Sequence, residues 1–219
     1  MITLNNRLKT AAELCRRGKI AVDVGCDHAQ LACYLAQTKS AAVIASDLRD
    51  GPLEAARRTV LECGVTNVEI VKSDGLHKID FADDVIICGM GGELIAEIIG
   101  GCRFLSGDTR FILQPMTKAD ALRRWLYGAG FEILEERAAY DGGKAYSVIL
   151  ARFRGEQLEI DEIFALTGKI TDCNFLSKIA EKLRKNADKM EKSPSFAEQA
   201  EHLRDLAAAI EEKSKSAEL

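Results

Sequence analysis

Between residues 20 and 128 the chain alternates short β-branched runs with helix-compatible stretches, and no other feature restricts its fold as much. The runs cover 20–24, 42–46, 68–71, 84–88 and 110–113; the helical stretches cover 31–37, 52–63, 92–100 and 118–128. Parallel strands need long crossovers, so this order predicts an α/β fold with a mostly parallel sheet and helices on both faces. Residues 131–137 and 146–153 flank the turn-forming Asp141-Gly142-Gly143 and predict a terminal antiparallel hairpin.

Past residue 154 the character changes. Residues 1–154 carry 20 Lys and Arg against 20 Asp and Glu, whereas residues 155–219 carry 10 against 14, so the whole net charge of −4 lies in the tail. This predicts two domains, 1–154 and 155–219. In the tail Phe175, Ile179, Leu183, Ala187 and Met190 recur at helical spacing, Ser193-Pro194-Ser195 breaks the pattern, and Phe196, Ala200, Leu203, Leu206 and Ile210 resume it. The expectation is a coiled-coil-like helical hairpin with Ser193 or Ser195 as an N-cap and a frayed end over Lys213-Ser214-Lys215-Ser216.

Composition narrows the function classes. With 47% hydrophobic and 29% charged residues the chain is no disordered protein. Its longest apolar stretch, 85–90, is far short of the roughly 18–20 residues of a membrane span. Asn5, Asn6, Arg7 and Lys9 stand where a signal peptide has its apolar core, so the expected location is cytoplasmic. Seven cysteines, an odd number without a CxxC pair, suggest neither a disulfide framework nor a metal site, and are expected to be mostly small buried apolar residues. A monomer is expected.

The chemistry sits at strand ends. Asp23-Val24-Gly25-Cys26-Asp27-His28-Ala29 joins the first strand to a helix, where doubly wound sheets bind nucleotide-like ligands. It is not GxGxxG, and Asp27 stands where a pyrophosphate would meet a like charge. A cationic ligand without phosphate fits better. S-adenosylmethionine carries an ammonium and a sulfonium, so Asp23 is read as an ammonium partner and Gly25 as a point of close backbone approach. An ordinary turn with Asp27 as an N-cap is the other reading. Asp47 ends the second strand 22 positions after Gly25, the offset expected of a ribose-diol acceptor. Asp74 and Gly75 follow the third strand as adenine contacts or as a plain Asp-Gly turn. Gly89, Met90, Gly91 and Gly92 follow the fourth, where the glycines allow backbone approach to the sulfonium and substrate.

These positions resemble the class I S-adenosylmethionine-dependent methyltransferases. The match extends to Leu4-Asn5-Asn6-Arg7-Leu8, the Asp-His-Ala loop, Gly51-Pro52, Asp74-Gly75-Leu76, Cys88-Gly89-Met90-Gly91-Gly92-Glu93-Leu94-Ile95, Ile112-Leu113-Gln114-Pro115 and Leu122-Arg123-Arg124-Trp125-Leu126. Over about residues 2–153 this is similar to the bacterial tRNA (adenine(22)-N1)-methyltransferases, the TrmK family, which the helical tail also suits. Cys26, Gln30 and Met116 depart from that pattern.

The resemblance implies a Rossmann-like methyltransferase sheet, S-adenosylmethionine as cofactor, no metal, tRNA as partner, and methyl transfer to adenine N1. It implies Asp27 as the group that stabilises a cationic purine, with His28 orienting or shuttling a proton or serving as a structural hydrogen-bonder. Asn5, Arg7 and Gln114 are expected to shape the pocket mouth, or to act as solvated or capping residues. Two basic groups are candidates for phosphate contacts. Arg7, Lys9, Arg16, Arg17 and Lys19, opposed by Glu13 alone, are expected near the cofactor mouth. Lys178, Lys182, Lys185, Lys189 and Lys192 share one helical face; they read either as a tRNA contact centred on Lys182, Lys185 and Lys189 or as a solvated face beside Glu181, Asp188 and Glu191. A methyltransferase for another RNA site or a small molecule, or a catalytically silent binding module, are the competing functions.

Overall fold

The structure, a computed structural model, describes residues 2–191 and 194–216. Lys192 and Ser193 of the expectations above lie outside the described residues. The chain divides into two compact units, Met1–Glu159 and Ile160–Leu219. The first extends beyond residue 154 because Arg154 and Gly155 donate to the Gly130 carbonyl and Leu158 donates to Tyr127.

The first unit runs α1 (Asn6–Leu14), β1 (Ile20–Val24), α2 (Gln30–Thr38), β2 (Ala42–Asp47), α3 (Asp50–Cys63), β3 (Val68–Lys72), β4 (Asp84–Gly91), α4 (Gly92–Gly100), β5 (Arg110–Thr117), α5 (Ala119–Gly128), β6 (Phe131–Asp141) and β7 (Lys144–Phe153). The sheet order is β3-β2-β1-β4-β5-β7-β6, with β7 antiparallel to both its neighbours and the other pairs parallel. Alternation along the strands builds two cores. Ala21, Ile86 and Ile112 point to the α1–α2 face, while Val22, Val85, Ile87, Phe111 and Leu113 point to the α4–α5 face. Gly142 and Gly143, both at positive φ, form the two-residue turn between β6 and β7.

The sequence pattern did not announce α1. Asn5 caps it by accepting from the Leu8 N–H at 3.0 Å, and the Lys39 ammonium binds the carbonyls of Ala12, Glu13 and Cys15 at its other end. Arg123 of α5 and Glu136 of β6 form an ion pair at 2.9 Å, both side chains almost completely buried.

The second unit contains α6 (Glu162–Thr167), α7 (Cys173–Met190), a 3₁₀ turn at Pro194–Phe196 that includes Ser195, and α8 (Ala197–Ser216). Phe175, Leu176, Ala180, Leu183 and Ala187 of α7, with Ala200, Leu206, Ala207 and Ile210 of α8, are among its buried residues. Arg184 pairs with Glu211, and Arg204 with Asp188 and Glu191, across the two helices. The expected fraying over residues 213–216 is corrected: this stretch is helical, and Lys213 donates to the Thr167 hydroxyl at 2.7 Å and the Gly168 carbonyl at 3.2 Å.

Candidate active site

In a doubly wound sheet the ligand crevice opens at the carboxyl ends of the strands where the order reverses, here beside β1 and β4. A cleft of about 180 Å³ occupies that place, lined by Leu8, Asp23, Gly25, Cys26, Asp27, His28, Gln30, Leu31 and Cys88. Its floor is the loop from β1 to α2, tied to β2 by hydrogen bonds from the Gly25 and Cys26 N–H groups to the Ser46 carbonyl. Gly25, Asp27 and Ala29 all have positive φ, at 74°, 48° and 52°. Two non-glycine residues in that region within one short loop store strain that a plain turn does not require. The N-cap of α2 is Ala29, without a side-chain hydrogen bond, so the reading of Asp27 as an N-cap is corrected. The Asp27 side chain stays 69% exposed and faces His28 at 3.7 Å.

Asp23 is 4% exposed. Burial pushes its carboxyl up to about 7; the Ala32 backbone N–H it accepts from pulls the other way, and nearby Asp47 raises it further. A buried carboxylate facing a second carboxylate is a site built for a cation. Asp47 ends β2, 7% exposed, its Oδ1 accepting from the Arg49 N–H at 3.0 Å. Asp74 is exposed, and its carbonyl rather than its carboxylate holds the turn, accepting from the His77 N–H at 3.1 Å. Burial also lifts the cleft's thiols, Cys26 to about 12 and Cys88 well above its ordinary value, so neither acts as a thiolate nucleophile. The expectation of mostly buried cysteines holds for Cys15, Cys26 and Cys33 only; the other four are half-buried and all seven are free.

Next to the cleft residue Leu8 stands Arg7. Its Nε donates to Asp141 at 3.1 Å, its Nη1 to Gln114 Oε1 at 2.7 Å and to the Met116 sulfur at 3.2 Å, and the guanidinium lies over the Tyr146 ring at 5.2 Å. Gln114 is fully buried, and its Nε2 donates to the Pro115 carbonyl at 2.9 Å. The expectation that Gln114 touches substrate is therefore corrected: its amide positions Arg7.

Residues 4–149 match the family model of a methyltransferase domain. The chain is 36% identical over 182 residues to the tRNA (adenine(22)-N(1))-methyltransferase of Bacillus subtilis, covering 81% of this chain and 76% of that one. The chain belongs to the tRNA (adenine(22)-N(1))-methyltransferase family. Among solved members, the B. subtilis m1A22 tRNA methyltransferase TrmK superposes with a TM-score of 0.73 at 29% identity over 99% of both chains. Sp1610 of Streptococcus pneumoniae, solved in complex with S-adenosyl-L-methionine, superposes with a TM-score of 0.76 at 30% identity over 98% of this chain and 100% of that one.

Within this family member the fold gathers Asp23, Gly25, Asp27 and His28 around one cleft. Gly89, at φ 81° with open space around it, and Met90 and Gly91 lie in the bulged end of β4, where the Met90 methyl sits against Gly25. Gly92 has a packing reason instead, since a Cβ there would strike the Lys118 carbonyl. Gly75, at φ 52°, lies close against Ile98. The basic group of residues 7–19 is corrected as a unit. Arg16 binds Asp84 at 2.7 Å and Lys19 binds Asp83 at 3.2 Å, at the amino end of β1, about 15 Å from the cleft end at 3.3 Å per residue. Arg7 of that group adjoins in sequence a residue of the cleft, Leu8. Sequence reasoning missed Asp141 and Tyr146, because a turn residue and a strand tyrosine carry no local mark of facing a residue more than 130 positions away.

No helix of the described residues is long and apolar enough to cross a membrane, and no three of their His, Cys, Asp and Glu side chains form a metal-binding group.

Proposed function

We propose that this protein transfers a methyl group from S-adenosylmethionine to N1 of an adenine in tRNA, adenine 22 by kinship with its B. subtilis relative. The carrying observation is the buried Asp23 carboxylate at the floor of the β1/β4 cleft. A group with an ammonium, a sulfonium and no phosphate suits that acidic cleft, and Gly89 leaves backbone open to approach.

When bound, the cofactor supplies an electrophilic methyl on sulfur. Asp23 pairs with the ammonium, and Asp47 accepts the ribose hydroxyls at the end of β2. Asp74 and Gly75 border the adenine, and Gly89, Met90 and Gly91 border the reacting end. Adenine N1 is a lone pair already nucleophilic, so the chain's task is orientation and exclusion of water, with no prior deprotonation. The methylated purine is cationic, and Asp27 stabilises that charge as it develops. His28, beside Asp27, orients it. Asn5, by capping α1, and Gln114 place Arg7 at the mouth. In this reading the protein acts as a monomer, and a cytoplasmic location goes with a tRNA substrate.

Asp47→Ala should weaken cofactor binding by about 1–3 kcal/mol, because the ribose hydroxyls lose a buried acceptor. Unchanged affinity by titration calorimetry removes Asp47 from the ribose. The function itself is tested by incubating unmodified tRNA and a metabolite extract with the protein and labelled S-adenosylmethionine, followed by mass spectrometry of nucleosides. Label in 1-methyladenosine supports the reading. Label elsewhere makes it another methyltransferase, and no label with intact cofactor binding makes it a silent module.

The helical pair carries the tRNA contact in this reading. Lys182, Lys185 and Lys189 are exposed on the side of α7 opposite its buried residues. Asp188, Glu191 and Glu211 are engaged by arginines, and Lys185 is ion-paired on its own helix with Glu181 at 3.8 Å. Changing all three to Glu should weaken tRNA binding and flatten its salt dependence, each lost phosphate contact lowering the slope of log affinity against log salt by about 0.7–0.9. Cofactor affinity should stay unchanged. Parental tRNA affinity and slope in the triple variant would make the row a solvated face.

A further inference from the structure

The last pairing of β5 with β7 is Leu113↔Ile149, and beyond it β6 and β7 continue as a ribbon of their own, paired from Arg137↔Val148 to Asp141↔Lys144. A two-stranded ribbon has little stability by itself, so its far end needs a support. Helix α1 supplies one. Ala139 and Val148 share a core with Ala11 and Ala12, Asn6 Nδ2 donates to the Tyr140 carbonyl at 2.9 Å, and Arg7 holds Asp141 and lies over the Tyr146 ring.

The same guanidinium donates to Gln114 and Met116 of β5. One arginine therefore ties the turn of the ribbon to the carboxyl end of β5, where Thr117 pairs with Gly91 of β4. The turn is fixed at the reacting end of the sheet, two strand spacings or about 10 Å across from β4. The cofactor, in the reading above, takes Asp23, Asp47 and Asp74 on the side of β1, β2 and β3. That leaves the edge formed by β5 and the ribbon to border the RNA that brings the base to Gly89 and Gly91.

At this edge one charge stays uncancelled. Asp141 is held by Arg7 and Glu93 by Lys118, whereas Lys144 is exposed and forms no ion pair with any described residue. Gly142 and Gly143 put no side chain beside it, and a Cβ at either would meet open space.

We propose that the Gly142-Gly143-Lys144 end of the β6–β7 ribbon is a phosphate contact for the substrate RNA next to the target base, with Asn6 and Arg7 as the positioning residues that brace it; this rests on tRNA being the substrate. Lys144 supplies the charge, and the bare glycine turn lets the sugar–phosphate backbone come close. A lysine at a hairpin end also serves to keep sheet edges apart, and salt dependence separates the two roles.

The test is equilibrium binding of an unmodified tRNA transcript to the full chain at about 50 and about 200 mM salt. Lys144→Ala should weaken binding about tenfold at the lower salt and about threefold at the higher, as expected when one lost phosphate contact lowers the slope of log affinity against log salt by about 0.7–0.9. Lys144→Glu should weaken it further. Affinity for S-adenosylhomocysteine should stay at the parent's value in both, since Lys144 is not a residue of the cleft. Asn6→Ala, which removes the donor to Tyr140, should weaken tRNA binding in the parent and add little in Lys144→Ala. Parental tRNA affinity and salt slope in both Lys144 variants overturn the proposal and leave Lys144 as an edge-guarding charge. Equal weakening at the two salts overturns it too, since the loss is then one of shape. A parent that binds S-adenosylhomocysteine but neither binds nor methylates tRNA would instead overturn the tRNA reading.

Discussion

Asp27→Asn should lower the single-turnover rate of tRNA methylation by about 100- to 1,000-fold, the range seen when one preorganised group facing transition-state charge is removed. Cofactor affinity should stay within a few-fold of the parent. The substitution isolates charge from shape, because Asn tolerates the left-handed conformation that Asp27 adopts at φ 48° and keeps the side chain's size. The carboxylate is 69% exposed, so its strength depends on the substrate base covering it and excluding water. Single-turnover measurements on cofactor-saturated enzyme separate this effect from binding. An unchanged rate would assign Asp27 to the shape of the strained loop, and His28→Ala would then test the neighbouring side chain.

The part of this molecule legible in its sequence is the part written in local periodicity. The strands and the helices between them follow from apolar spacing, and Asp23, Gly25 and Asp47 lie at strand ends that the alternation alone locates. What local pattern could not supply is which charges cancel. Arg16 and Lys19 read as candidates for phosphate contacts until Asp84 and Asp83, more than 60 positions on, are found to hold them. Nor does local pattern show that Arg123 and Glu136, 13 positions apart, form an ion pair with both side chains buried. The glycines after β4 looked alike in sequence but differ in cause: Gly89 has open space, whereas Gly92 is required by the Lys118 carbonyl. The helix α1 was hidden because Arg7, Lys9 and Glu13 mask the buried face of Ala11, Ala12 and Leu14.

The Asp23 carboxyl makes both stability and ligand affinity depend on pH, in opposite directions. Its value near 7 in the fold lies above the 3.8 of an ordinary Asp, so the folded state holds its proton longer than the unfolded chain. The stability this group contributes is complete below about pH 4 and is lost as pH rises toward about 7, about 4 kcal/mol in all at 1.36 kcal/mol per pKa unit. In Asp23→Asn that decline should be absent, so the ligand-free variant should melt above the parent at pH 8 and converge with it near pH 4. Thermal denaturation across that range checks the sign. A cationic ligand reverses the trend, since the ammonium binds the ionised carboxylate and must displace the proton first. Between pH 5.5 and 7 the affinity of the parent for S-adenosylhomocysteine should rise about 16-fold in all, steeply at first and levelling toward pH 7, with close to one proton released on binding at the lower end. Calorimetry in two buffers of different ionisation enthalpy counts that proton. Asp23→Asn should bind weakly with no pH dependence in this interval, and a flat profile in the parent would mean that Asp23 is not the ammonium's partner.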